Sequence, residues 1–224
     1  LTVIVGKPRS ARNALMPASV PLLGLFACLA LVGTQLYLAF AALGPITNYD
    51  SGLYHLGAVE YAREYPAIPG LASVYGPLGY STGEFPMAAL FGAGPWGSNG
   101  VRLVNGFLMG ILALDLSLRI LRRRWSPGTY VLAVGLVTAW VPLVAFADYW
   151  VTSPSQDTSA WILCLAAVAY LTDAVGRKKF WVDDMVIAIV VSIAVVLVRP
   201  TLGAFAVGVV GVGLFLAIKR QWRG

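Results

Sequence analysis

Apolar residues run along this chain in long blocks, and polar residues collect between them. Six blocks stand out, at 21–43, 101–120, 128–147, 158–175, 185–198 and 201–218. Most approach the roughly 20 residues that cross about 30 Å of hydrocarbon as an α-helix. The last two are separated only by Arg199-Pro200, and a proline ends a helix because it lacks the N–H donor. The pattern predicts an all-α integral membrane protein of about six transmembrane helices. Between the first two blocks lies a polar interlude, 44–100, with Asp50, Glu60, Arg63, Glu64 and Glu84. Within it, Leu53, Leu56, Ala58, Val59 and Ala62 recur at helical spacing. This predicts an amphipathic helix over 51–64, lying on the membrane surface. Asp50 or Ser51 is expected at its positive end, with Ser51 as the cap. The short apolar run 85–91 reads as a re-entrant or interfacial helix, and 148–157 as a short loop.

Composition sharpens the class. Of 224 residues, 58% are hydrophobic and only 12% are charged, with mean hydropathy +0.77. Soluble domains carry roughly 25% charged residues, so too few charges remain to coat a globule in water. The net charge of +6 would suggest nucleic acid in a soluble protein. Here the cations sit at the block ends and read as topology determinants, so no nucleic-acid partner is expected. With the N-terminus inside, 13 of the 16 basic residues face the cytoplasm, leaving Arg63, Arg102 and Arg199 outside. The expectation is a multi-pass protein of the plasma (inner) membrane with both termini cytoplasmic. The 44–100 and 148–157 loops then share the outer face. Residues 1–20 form a basic leader with Lys7, Arg9 and Arg12; the apolar block after it is too long for a signal peptide. Residues 21–220 form the transmembrane domain. The chain starts at Leu1 and stops just after an apolar block, as expected of a piece of a longer protein. Cys28 and Cys164 lie inside apolar blocks and read as small buried hydrophobes.

Candidate chemistry gathers in the expected outer segments. Asn48-Tyr49-Asp50-Ser51-Gly52-Leu53-Tyr54-His55 holds a carboxylate, the chain's one histidine and two tyrosines. Partial desolvation at the hydrocarbon boundary would favour Asp50 as a base; the alternative is an aromatic belt with a capping Asp. The Gly- and Pro-rich stretch 66–82 demands specific turns and otherwise reads as an ordered loop. Ser153-Pro154-Ser155-Gln156-Asp157 opens the fourth block, where Asp157 either caps the helix or faces the same cavity as Asp50. Arg199 must snorkel, pair with an acid or bind an anion such as phosphate. Arg102 is a further outer-face cation, either a snorkelling anchor or a substrate contact. Asp115–Arg119 and Asp173–Arg177 both have the four-residue spacing of an intrahelical pair. No Walker loop, no GxGxxG after a strand, no GxSxG and no HExxH occurs.

Tyr49-Asp50-Ser51-Gly52-Leu53-Tyr54-His55, Pro69-Gly70-Leu71 and Gly76-Pro77-Leu78-Gly79-Tyr80-Ser81 resemble the first outer loop of the GT-C superfamily of membrane glycosyltransferases. They are most similar to a bacterial branch of that superfamily. Ser153-Pro154, Asp157 and Arg199-Pro200-Thr201 fit the same pattern. The resemblance implies transfer of a sugar from a polyprenyl-phosphate carrier to an acceptor on the outer leaflet of the cell envelope. It implies Asp50 as general base or acceptor-orienting acid, and Asp157 as its support or as a ligand to a divalent metal. Arg199 would hold the carrier phosphate, while Tyr54 and His55, next to Tyr49, would line the sugar pocket. Pro77 departs from the pattern, which often carries a basic residue there. A transporter component or a non-catalytic membrane scaffold is the alternative. Transporters favour polar residues at mid-membrane, whereas these span interiors are almost wholly apolar.

Overall fold

A computed structural model describes residues 19–66, 69–79, 82–176 and 181–221. The leader cations Lys7, Arg9 and Arg12, and also Arg177, Tyr80 and Ser81, lie outside the described residues. Among the described residues there are helices and turns but no strand. Six helices are long and apolar enough to cross a membrane. They are α1 (Ser19–Ala41), α4 (Val104–Leu121), α5 (Pro127–Ala145), α7 (Gln156–Gly176), α8 (Trp181–Val198) and α9 (Gly203–Gln221). Between α1 and α4 come two short helices, α2 (Leu56–Glu64) and α3 (Glu84–Gly92). A four-residue helix, α6 (Ala147–Trp150), precedes α7. The expected spans are therefore present, with ends shifted by a few residues. The fifth begins earlier than its apolar run because Asp183 and Asp184 occupy its first turn, where carboxylates suit the positive end.

α7 is the hub. It packs along α8, α5 and α4, while α4 also carries α1. Small residues set the closeness. A Cβ on Gly128 of α5 would run into the Ala169 carbonyl of α7. One on Gly135, two turns on, would run into the Leu165 side chain. Glycine at both lets the helices touch, as small residues do where lipid supplies no hydrophobic drive. α5 itself starts cleanly: Ser126 accepts a hydrogen bond from the Thr129 N–H at 3.3 Å and Pro127 follows at the first helical position. The main core joins Leu38, Met109, Leu112, Leu132, Leu136 and Ile162 from four helices. α1 and α9 form the rim, with only 17% of their apolar windows buried against 39% for α4 and α7.

The two ends are built differently. At the end carrying the α4–α5 and α7–α8 connections, charges hold the bundle. Arg119 Nη1 donates to Asp173 at 2.7 Å and Nε to Asp115 at 3.0 Å. Its guanidinium lies 4.6 Å over the Tyr170 ring, and the Tyr170 hydroxyl returns to Asp115. Asp173 also accepts from the Gly128 N–H at 2.9 Å. Arg124 reaches Asp184 at 2.7 Å, helped by the left-handed turn at Arg123 (φ 53°). The expected Asp115–Arg119 pair is present. Asp173 turns to Arg119 and Arg124, because its side chain faces the bundle with no exposure. We call this the basic end, and the opposite one the loop-bearing end.

Removing one partner of a buried pair leaves a charge without compensation. Asp173→Ala is expected to destabilise the bundle by about 3–5 kcal/mol in denaturation of the detergent-solubilised protein. Asp115→Asn, at a side chain 25% exposed, should cost a fraction of that. Equal effects of the two would contradict this account of the clamp.

Candidate functional site

The loop-bearing end is covered by a folded lid of chain. The helix expected over 51–64 is present, with its first turn, Ser51–His55, wound as a π-helix. Its cap differs from expectation. Asp50 has helical backbone angles and makes no capping hydrogen bond. The buried Asn48 caps instead, its Oδ1 accepting from the Ser51 N–H at 3.2 Å. The Ser51 hydroxyl is then free for tertiary bonds, meeting Ser153 Oγ at 2.6 Å and His55 Nδ1 at 3.1 Å. Such π-turns bulge one residue out of the ladder and recur at functional sites.

α2 and α3 pack on each other through Ala58, Val59, Phe85, Ala88 and Ala89, above Val101 and Val104. The Gly/Pro stretch makes single helical turns at Leu71–Ser73 and Gly76–Gly79. Gly70 sits at φ 85°, a left-handed conformation that glycine adopts without strain. Tyr75 ties the stretch down by donating to the Leu53 carbonyl at 3.0 Å. The lid is then fastened to α8: Thr82 Oγ1 donates to Val198 O at 2.7 Å and the Gly83 N–H to Leu197 O at 2.6 Å. Those carbonyls are among the last of α8 and have no partner within the helix.

Asp50 is exposed, and its side chain makes no hydrogen bond or ion pair with a described residue. The first helical turn holds it on the open side of the lid, so no described residue buries it. Tyr49 beside it is 73% exposed. His55 is buried, at 3% exposure, with its ring 4.4 Å from Tyr54 and 5.6 Å from Phe85. Burial pulls its pKa below the ordinary value, against the pull of the nearby Asp50 carboxylate. His55 is therefore a neutral member of the lid's interior, and the ring of half-buried Tyr54 lies 6.4 Å from that of Phe85.

Asp157 and Arg199 come together: Arg199 Nη1 contacts Asp157 Oδ1, with both side chains partly exposed. Arg199 is aimed there by an extended backbone (φ −139°, ψ 91°) between α8 and the Pro200 turn. Asp157 also edges a half-open cavity of about 420 Å³ between α5 and α7. Its walls are Trp150, Trp161, Leu143 and Ala139. Pro142, which cannot bond back to Thr138, lines it together with Thr138. Asp50 has no direct contact with this pair. The Ser51–Ser153 hydrogen bond joins the two regions, four residues before Asp157.

Arg102 stands apart. Its Nη1 donates to the Ala42 carbonyl at 3.3 Å and contacts the Gly44 carbonyl. It thus finishes the C-terminal end of α1, where a cation meets the helix dipole. Among the described residues no three His, Cys, Asp or Glu side chains converge as a metal site. Asp157, the acid expected to hold a divalent metal, already faces a guanidinium. The donor set does not fit such an ion.

Comparison with known proteins places the chain. The family described as Domain of unknown function (DUF8201) matches residues 13–223. The chain belongs to that family. No curated protein and no solved structure matches it. The DUF8201 chain also holds a cluster that sequence reasoning passed over. Glu84, at the start of α3, has no exposure. It meets Ser159 of α7 at 2.5 Å, and Ser159 contacts Asn105 Oδ1 of α4. Asn105 Nδ2 donates to the carbonyls of Ser153 at 2.8 Å and Ser155 at 3.2 Å. Burial pushes the Glu84 pKa up to about 7, and the Ser159 bond opposes that rise. The sequence signal was an acid directly ahead of an apolar run, together with an Asn and a Ser early in two later spans.

Asn105 thus satisfies two buried carbonyls and orients Ser159. An unmet buried polar group costs about 1–3 kcal/mol. Asn105→Ala is expected to destabilise by at least about 2 kcal/mol on that basis. Asn105→Asp should not rescue, since a carboxylate offers no donor to Ser153 or Ser155. An aspartate variant as stable as the parent in detergent denaturation would refute this role.

Proposed function

We propose that this protein is a GT-C-like glycosyltransferase of the plasma membrane. In this reading it moves a sugar from a polyprenyl-phosphate carrier to an acceptor at the outer face. Both termini lie in the cytoplasm, so the basic end is inside and the lid faces out, in keeping with the distribution of Lys and Arg. The observation that carries the reading is Asp157, which edges a cavity walled by Trp150 and Trp161 and also holds Arg199 in contact. A lipid-linked donor has two parts to be bound, an isoprenoid tail and a phosphate at headgroup height. An apolar cavity edged by an acid that carries a guanidinium beside it offers a place for each. Arg presents five N–H donors, so contact through Nη1 leaves others for phosphate oxygens. Asp157 holds the fork in position.

The chemistry asks little more of the protein. The acceptor hydroxyl forms a bond to the anomeric carbon as the bond from that carbon to the carrier phosphate breaks. The electron pair leaves with the phosphate, whose charge Arg199 balances. Asp50 takes the acceptor's proton. Its carboxylate is suited to that role because neither a cap nor a cation ties it up. Exposed Tyr49 offers a hydroxyl and a ring face beside it.

The test is transfer from a panel of radiolabelled polyprenyl-phosphate sugars in membranes containing the full-length protein. Asp50→Asn keeps size and loses charge. The expected result is transfer by the parent and a fall of about 10²-fold or more in the variant, the scale of a lost general base. Equal transfer by both would remove Asp50 from the chemistry. No transfer of any sugar by a folded parent would favour the scaffold or transporter reading.

A further inference from the structure

We infer that Glu84 is kept as the neutral acid, and that its carboxyl proton, shared with Ser159, pins the lid and thereby positions Arg199. The argument counts protons. Asn105 is fixed in orientation, because its Nδ2 donates to the carbonyls of both Ser153 and Ser155. A flipped amide would set Oδ1 against those two acceptors. Oδ1 therefore faces Ser159 and can only accept. Ser159 has one hydroxyl proton, and Asn105 Oδ1 takes it. The 2.5 Å approach of Ser159 Oγ to Glu84 Oε2 then needs a proton from the glutamate side. A carboxylate there would put two lone pairs face to face.

The surroundings agree. Glu84 has no exposure, and its other oxygen, Oε1, is buried with no hydrogen-bond partner. An ion so placed would go without compensation. Charged groups on the packed elements are engaged elsewhere or lie apart. On the 51–64 helix, His55 bonds Ser51, while Glu60 and Glu64 pair with Arg63 at the surface. Asp50, ahead of it, is exposed. Arg102, before α4, holds the end of α1. Further along α4, Asp115 is about 15 Å beyond Asn105 at 1.5 Å per residue. On α7 and α8, Asp157 and Arg199 occupy each other. Burial is the largest influence on Glu84, and the pKa of about 7 it produces leaves the proton able to leave near neutral pH.

The link to Arg199 is short. Glu84 follows directly on Thr82 and Gly83, which hold the Val198 and Leu197 carbonyls. The Glu84 N–H in turn contacts Thr82 Oγ1 at 3.2 Å. Ionising Glu84 repels Ser159 and draws α3 toward water, pulling on the strap that ends one residue from Arg199. Glu84 is thus a positioning residue. The inference holds whatever substrate the site takes.

Glu84→Gln mimics the neutral acid, since its amide can donate to Ser159. The folded state holds the Glu84 proton to higher pH than the unfolded chain does. Stability from this group is therefore full below about pH 4.5 and declines as pH rises to about 7, then levels off. Measured in detergent micelles from pH 4.5 to 8.5, the parent's unfolding midpoint should fall relative to Glu84→Gln up to about pH 7. A difference that stays flat overturns the neutral acid. For positioning, Thr201→Cys is placed beside Arg199 in a background with Cys28 and Cys164 replaced by Ala. Above neutral pH, its labelling by a charged thiol reagent should be several-fold faster with Glu84 intact than in the same background carrying Glu84→Gln. Identical rates at every pH overturn the positioning role. Should Glu84→Gln fail to fold, infrared spectra of the parent and Ser159→Ala decide. A protonated-acid carbonyl band that moves to higher frequency on losing its serine partner supports the inference, and no such band overturns it.

Discussion

In hydrocarbon no water is available to satisfy the open ends of a helix, and the loop-bearing end of this protein is organised around that constraint. The last carbonyls of α1 are taken by Arg102, those of α8 by Thr82 and the Gly83 N–H, and the turn into α7 by Asn105. Each donor comes from a different segment of chain. The lid therefore cannot be a loose excursion between two spans. With Arg102 and Asn105 from the start of the α4 segment, it completes the ends of α1 and α8 and braces the turn into α7, and its own helices follow from where those donors must stand. α2 and α3 add an apolar seam of their own, which keeps the donors in place once they have arrived.

The two ends solve the burial of polar groups by opposite means. At the basic end Arg119 and Arg124 are paired with Asp115, Asp173 and Asp184 across α4, α7 and α8. Full charges suit that place, because the partners are many and some reach solvent. At the loop-bearing end the interior network of His55, Ser51, Ser153, Asn105 and Ser159 is neutral, and Glu84 joins it without a cation beside it. Formal charge there lies outside that network, in Asp50, Asp148, the Glu60–Arg63–Glu64 group, Arg102 and the Asp157–Arg199 pair.

How much of this was legible depended on the range of the physics. The six spans follow from block length alone, since hydropathy is a local property, and their ends shifted by only a few residues. The 51–64 helix was legible from spacing. Its cap was not: Asn48, Asp50 and Ser51 are all good capping types, and the choice fell to Asn48 because Ser51 is claimed by Ser153, 102 residues away. Asp173 looked like a partner for Arg177 by spacing, yet it points into the bundle at Arg119. Arg102 offered no sequence sign that α1 would end within its reach. Glu84 was visible as an acid beside an apolar run. Its burial needs α3, α4 and α7 together, and no local pattern encodes that meeting.

The placement of Arg199 brings these threads together. Free arginine at a membrane surface is mobile and well hydrated, and would bind a phosphate only after losing that freedom. Here the cost is met in folding. Pro200 fixes the turn behind it, the Thr82–Gly83 strap holds the helix end before it, and Asp157 directs the fork. The same contact engages only part of the guanidinium, whose other N–H donors remain for a second anion beside the carboxylate. An anionic phosphate diester can use them, whereas a neutral sugar brings no charge to the guanidinium. In the proposed reading an anionic headgroup would meet those donors, while the Trp-walled cavity edged by Asp157 would take an apolar tail.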